Sequence, residues 1–137
     1  MLRTDHLEKA LKNYQGFRGV YAVDKLPKIP QVGFYIANTD PSDESGEHWV
    51  LYNVTGDVVE FFDTFARKPI ERWPGTWIYS GKVVQSPLSA ACGYHVLWFA
   101  HMRKTHTFRE ILALYGNDLR ENDRFVQKTV AEINVLS

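Results

Sequence analysis

One cysteine stands in the chain, Cys92, in the stretch QSPLSAACGYH, after small residues and before a glycine and an apolar run. A thiolate attacks a carbonyl where a thiol does not, and a cysteine that opens a helix has its anion favoured by the helix dipole and the free N–H groups. A histidine can hold the proton as imidazolium, and a carboxylate can orient the histidine; geometry defines these roles, not chain order. His48 and Asp63 are the candidates. His48 opens the run HWVLYNV, Asp63 follows DVVEFF, and Thr55, Gly56 and Asp57 between them suit a tight hairpin turn. Such a hairpin brings positions 48 and 63 together at its open end. Attack on an amide also needs donors for the developing oxyanion, each worth about 10²–10³ in rate. Gln85, seven residues before Cys92, offers its side-chain amide beside the Cys92 backbone N–H, and Gly93 would let a substrate backbone approach closely.

Each of these residues also has an ordinary use. A lone cysteine is a small core side chain, a strand histidine is a satisfied polar group, Asp63 can cap a turn and Gln85 can end a strand. His95 lies one helical turn beyond Cys92 and is the rival base, but its apolar helix favours a packing or hydrogen-bonding role. His101 and His106 in HMRKTH do not share a helical face and have no carboxylate with them, so they read as a solvated helix end and not as metal ligands.

The elements that must carry these residues can be read from periodicity. Leu7, Ala10, Leu11 and Tyr14 make a helix of residues 4–14, with Thr4 or Asp5 to cap it and Gly16 to stop it. Pro27 and Pro30 make VDKLPKIPQ a loop, and GFYIANT is a strand. DPSDESGE is a surface loop ending on His48. After the hairpin, ARKPIERWPG connects to a further strand, TWIYSGKVVQ. From Ala91 onward CGYHVLWFAHMRKTH, TFREILALYG and NDLRENDRFVQKTVAEINVL have helical periodicity. Helix, a run of antiparallel strands, then helices is α+β: an antiparallel or mixed sheet flanked by helices.

At 137 residues, 45% apolar and 23% charged, the chain is one globular domain over 1–137. Sixteen basic residues balance sixteen acidic ones, so no global field argues for nucleic acid, and DNA contact is a weak reading resting on ARKPIERW and MRKTH alone. A single cysteine excludes an intrachain disulfide and a cysteine-based zinc cluster. No stretch is long and apolar enough to span a bilayer or serve as a secretory signal, so the chain reads as soluble, intracellular, without a membrane partner and monomeric.

The sequence resembles the adenovirus-type maturation proteases, the adenain-like cysteine peptidases whose clan includes the SUMO-deconjugating enzymes. IANTDPSDESGEHW resembles their strand, eight-residue loop and His-Trp; FFDTFA resembles their aromatic-acid segment; VVQSPLSAACGYH resembles their Gln, Pro, Ser-Ala-Ala-Cys-Gly block; FRGVYAVDKLP resembles their lead-in to the first strand. The likeness runs from about residue 17 to 102. It implies the nucleophile Cys92 at the N-terminus of a central helix, His48 as general base, Asp63 as its orienting acid and Gln85 as oxyanion donor. Trp49 would pack beside the catalytic pair, and Gly46, Trp49 and Gly93 are the substrate-binding candidates. The implied activity is a viral or virus-like endopeptidase that trims capsid or core precursors during particle maturation, in the host-cell interior and the virion. The acid is aspartate where the human adenovirus enzymes carry glutamate. Their second cysteine, which tethers an activating peptide, is absent, so no cofactor is required and a noncovalent peptide or DNA activator is allowed but not indicated. Two other readings remain open. A ubiquitin-like-protein deconjugase shares the His, Asp, Gln, Cys order but usually has Asp where this chain has Ala91, and an inactive scaffold module would not need all four residues.

Overall fold

A computed structural model of the chain describes residues 2–39 and 48–133. Five strands form one sheet in chain order: β1 (Phe17–Ala22), β2 (Gly33–Asn38), β3 (Trp49–Thr55), β4 (Val58–Phe62) and β5 (Thr76–Tyr79). Four α-helices accompany it among the described residues: α1 (Thr4–Leu11), α2 (Cys92–Met102), α3 (Phe108–Ala113) and α4 (Leu119–Glu132). The class is α+β, a mixed sheet flanked by helices.

Strand alternation divides the core in two. Phe34, Ile36, Trp49, Leu51 and Phe62 face the helices and pack with Leu7, Leu11, Val96, Phe99 and Ile111. Tyr35, Ala37, Val50, Tyr52, Val59 and Phe61 face the other way and pack with Leu26, Trp73 and Trp77. On the helical side α2 lies centrally, in contact with α1, β3 and α4. Its sequence CGYHVLWFAHM is apolar on nearly every face, as a helix packed from all sides must be.

Three expectations change. The strands are not all antiparallel: β2–β3 and β3–β4 are, but β1–β2 and β4–β5 are parallel. A parallel pair needs a crossover, and the two proline-containing connectors supply them on the face opposite the helices. There they bond to each other, Trp73 Nε1 donating to the Pro27 carbonyl (2.9 Å) and Arg72 to the Val23 carbonyl (3.1 Å). The first helix ends at Leu11 with Arg3 as N-cap, in place of Thr4 or Asp5; the Arg3 backbone N–H donates to His6 Nδ1 (3.0 Å). Strand β5 stops at Tyr79 instead of running to Gln85. Ser80 still donates its N–H to the Phe61 carbonyl (3.0 Å) but its side chain takes the Asp63 N–H, Gly81 adopts a left-handed φ of 60°, and Val84 then donates its N–H to the Thr64 carbonyl (2.9 Å).

Candidate active site

The hairpin positions the first two candidates. Thr55 pairs with Val58 at the turn, where Gly56 has φ 62°, and the register runs to Leu51 opposite Phe62. His48 and Asp63 therefore fall just beyond the paired ends of β3 and β4. The Thr39 N–H donates to the His48 carbonyl (2.9 Å) and continues the β2–β3 ladder past Trp49, so the His48 backbone is fixed. Its Nε2 meets Asp63 Oδ1 at 2.8 Å. The Phe65 ring stacks on the imidazole, 4.8 Å between centroids and 24° between planes.

Asp63 is held on every side. Oδ1 also accepts the Phe65 N–H (2.9 Å) and Oδ2 accepts Arg67 Nε (3.2 Å). Its backbone N–H donates to Ser80 Oγ (3.1 Å), whose hydroxyl donates back to the Asp63 carbonyl (2.9 Å). Ala66, at φ 60°, is the described non-glycine residue in the left-handed region. That conformation is strained for alanine, by about 1 kcal/mol, and it turns the chain so that Arg67 returns to the carboxylate.

Cys92 is the first residue of α2 and buried, close enough to the His48 ring to act on its pKa. Burial alone would lower the basicity of His48, but hydrogen bonds to Asp63 and Cys92 and the charges of both outweigh it, and its pKa is raised. Burial would likewise raise Asp63, but the hydrogen bonds from His48 and the Phe65 N–H, with the charges of His48 and Arg67, bring its pKa below the ordinary carboxylate value. The trio is thus arranged for a proton on His48 and a negative charge on Asp63, the state a cysteine nucleophile needs of its base.

Gln85 is buried and bonds to Thr64, the residue that follows Asp63. Its Oε1 accepts the Thr64 hydroxyl at 2.5 Å, and its Nε2 donates to the Ser89 carbonyl at 2.8 Å. The stretch from Gln85 to α2 is pinned by Ser86 N–H to Asp123 Oδ2 (3.3 Å) and Ala91 N–H to Ser89 Oγ (3.0 Å).

The substrate-binding candidates fare differently. Gly46 lies outside the described residues. Trp49 is buried in the same apolar cluster as Cys92, and its indole N–H donates to the Leu2 carbonyl (3.0 Å). At Gly93 the space left by the missing side chain is filled by the chain's own N-terminal segment, since a Cβ there would lie 2.9 Å from Leu2 Cβ. His95 is fully buried, with Nδ1 against the Tyr115 hydroxyl and Nε2 against Asp123 Oδ1, both at 2.8 Å. Both ring nitrogens are committed, and burial lowers its pKa against the pull of Asp123, so it is a packed polar group away from Cys92 chemistry. His101 Nδ1 meets the Tyr14 hydroxyl (3.2 Å) and His106 Nδ1 meets Thr105 Oγ1 (2.8 Å).

Sequence reasoning missed Thr64, Phe65, Arg67 and Ser80. The signal was partly present, because Thr64, Phe65 and Arg67 directly follow the acid in the segment DTFAR.

No family model matches the chain, and no curated protein matches it. Among solved structures it is similar to the crystal structure of the selenomethionine form of the ASFV pS273R protease, at 18% sequence identity and a TM-score of 0.47. The match covers 68% of this chain and 42% of that one, so the chain spans less than half the length of that protein.

Proposed function

We propose that the chain is a cysteine endopeptidase of the adenain-like kind, cleaving capsid or core precursor proteins during the maturation of a virus or virus-like particle. One observation carries the reading: a buried imidazole bonded to Asp63 (2.8 Å) and close to the thiol that opens α2. In the reaction Cys92 Sγ bonds to the scissile carbonyl carbon while its proton resides on His48 Nδ1. The carbonyl electron pair moves onto oxygen, where the Cys92 backbone N–H and the Gln85 amide donate to it. Collapse expels the amine, which takes the proton from His48. Water, giving a proton to the same nitrogen, then releases the acyl group and restores the thiol. Asp63 keeps Nε2 protonated throughout and stabilises the imidazolium.

The substrates are structural precursors encoded beside the enzyme, and the sites of action are the host-cell interior and the virion. An activator, if one is used, binds noncovalently, because Cys92 is the chain's single thiol. The test is incubation of purified protein, in mild reductant, with those precursors and with a SUMO fusion. Cleavage of the precursors, lost in Cys92→Ala and His48→Ala, is the expected result. Cleavage of the fusion alone would establish a deconjugase, and cleavage of neither would sink the enzyme reading in favour of a scaffold.

A further inference from the structure

An oxyanion donor works only if its amide faces the right way, and a glutamine side chain has two nearly isosteric faces, one donating and one accepting. Turned over, Gln85 would present oxygen to a developing negative charge. Something must therefore decide the orientation, and Thr64 has the chemistry and position to do so. Its side chain is fully buried, and its hydroxyl hydrogen has Gln85 Oε1 as acceptor at 2.5 Å. Its own carbonyl accepts the N–H of Val84, the residue before Gln85, at 2.9 Å. Thr64 thus grips Gln85 at two points, the backbone just before it and the amide oxygen at its tip. With Oε1 taken, Nε2 is directed to the other side, toward the segment that leads into α2, where it donates to the Ser89 carbonyl (2.8 Å). The Ser89 carbonyl, which only accepts, could not receive the flipped oxygen without repulsion, and with Nε2 held there the Thr64 hydroxyl is the donor that satisfies Oε1.

We infer that Thr64 is a positioning residue: it locks the Gln85 amide with its N–H groups toward the Cys92 end of the site, and acts on catalysis only through Gln85. This rests on the protease reading for its catalytic half. The acid and the lock are then adjacent in sequence. Asp63 orients the base and Thr64 orients the oxyanion donor, so one dipeptide at the end of β4 sets both halves of the machinery.

The experiment is a double-mutant cycle on kcat with Thr64→Val, Gln85→Ala and the pair, with Thr64→Ser as the conservative control. Valine keeps the volume and removes the donor. Gln85→Ala should lose about 10²–10³ in kcat, and Thr64→Val about tenfold with KM unchanged. The double variant should be no slower than Gln85→Ala alone, and Thr64→Ser should restore most of the rate. Independent losses that multiply in the double variant would overturn the inference, because a merely structural threonine would cost activity whether or not Gln85 were present. A readout apart from activity runs alongside, the ¹⁵N side-chain amide resonance of Gln85. It should be slow to exchange in wild type and Thr64→Ser and shifted with faster exchange in Thr64→Val; an unmoved resonance refutes the lock. Should Thr64→Val not fold, Thr64→Ala is put through the same cycle. Wild type that cleaves nothing would refute the protease reading, while the resonance would still decide whether Thr64 orients Gln85.

Discussion

Replacing Asp63 by asparagine separates the charge of the acid from its geometry. Oδ1 is held by two donors, His48 Nε2 at 2.8 Å and the Phe65 N–H at 2.9 Å, so the oxygen of an asparagine must stay there. The new amide nitrogen then takes the place of Oδ2 and faces Arg67, whose side chain is 56% exposed and can turn to water. His48 keeps its tautomer and loses only the negative charge. A hydrogen bond to a charged partner contributes about 1.5–3 kcal/mol and a neutral one about 0.5–1.5, a difference of about 1–1.5 kcal/mol, or roughly tenfold in rate. Asp63→Ala strips the acceptor from all three donors in a buried site and should cost far more, about 10³-fold or greater. Peptide kcat/KM and the pH profile of Cys92 alkylation by iodoacetamide measure both effects. Because Asp63 helps hold the pKa of His48 up, the basic limb of the alkylation profile should move to lower pH in Asp63→Asn. An asparagine variant as poor as alanine would show that orientation was lost as well. One with wild-type rate and an unmoved basic limb would show that the charge does nothing.

Three further predictions concern stability. Gly93→Ala places a Cβ 2.9 Å from Leu2 Cβ and should cost about 1–3 kcal/mol in urea unfolding; Leu2→Ala should not relieve it, since the clashing atom remains, and unchanged stability would refute the contact. Glu60 is buried and receives both Arg103 Nε and an Arg103 terminal nitrogen at 2.9 Å, so Arg103→Met should destabilise by about 3 kcal/mol, the lower end of the range because Arg103 is 30% exposed; adding Glu60→Gln should recover most of it, and a double variant no better than the single would refute the pairing. His48 and His95 act with opposite sign on either side of about pH 6.5. The raised pKa of His48 contributes stability that is complete below the unfolded value of about 6.5 and is lost as pH rises through the folded value, whereas the lowered pKa of His95 makes stability fall as pH drops below about 6.5. His48→Gln removes the gain that His48 makes above about 6.5, so its unfolding free energy should fall behind wild type as pH is lowered through neutral toward about 6.5 and run parallel to it below; curves parallel throughout would contradict the direction assigned to His48.

What was legible in the sequence was whatever follows from counting along one element. A turn at Gly56 and pairing outward from it bring His48 to the neighbourhood of Asp63, although the register puts Val50 opposite Asp63, and the contact is made diagonally by the side chains. Cys92 at a helix start needed only the change of pattern after Ala91. What was not legible depended on which distant segment arrives. The parallel pairings follow from connectors that cross the sheet and bond to each other through Trp73 and Pro27, and nothing in ARKPIERWPG distinguishes a crossover from a hairpin arm. Gly93 announces that something packs closely, but a missing side chain carries no mark of its partner, and the partner is Leu2 from the far end of the chain.

Thr64 shows where local reading and tertiary reading meet. Asp63 and Thr64 are adjacent, but one meets His48 from the neighbouring strand and the other Gln85, 21 residues on, reached because β5 stops early and the chain after Gly81 returns to bond Thr64 through Val84. The early stop is itself caused by polar chemistry at the same place: Ser80 exchanges two hydrogen bonds with the Asp63 backbone and so diverts the strand. The apolar run Val83–Val84 reads as strand by propensity, but propensity is a preference for a half-buried pleated surface and has no power against specific bonds at the strand's end. The element that sequence reasoning drew too long is thus the one that leads to Gln85, the proposed oxyanion donor, and Ser80, which cuts it short, also holds Asp63.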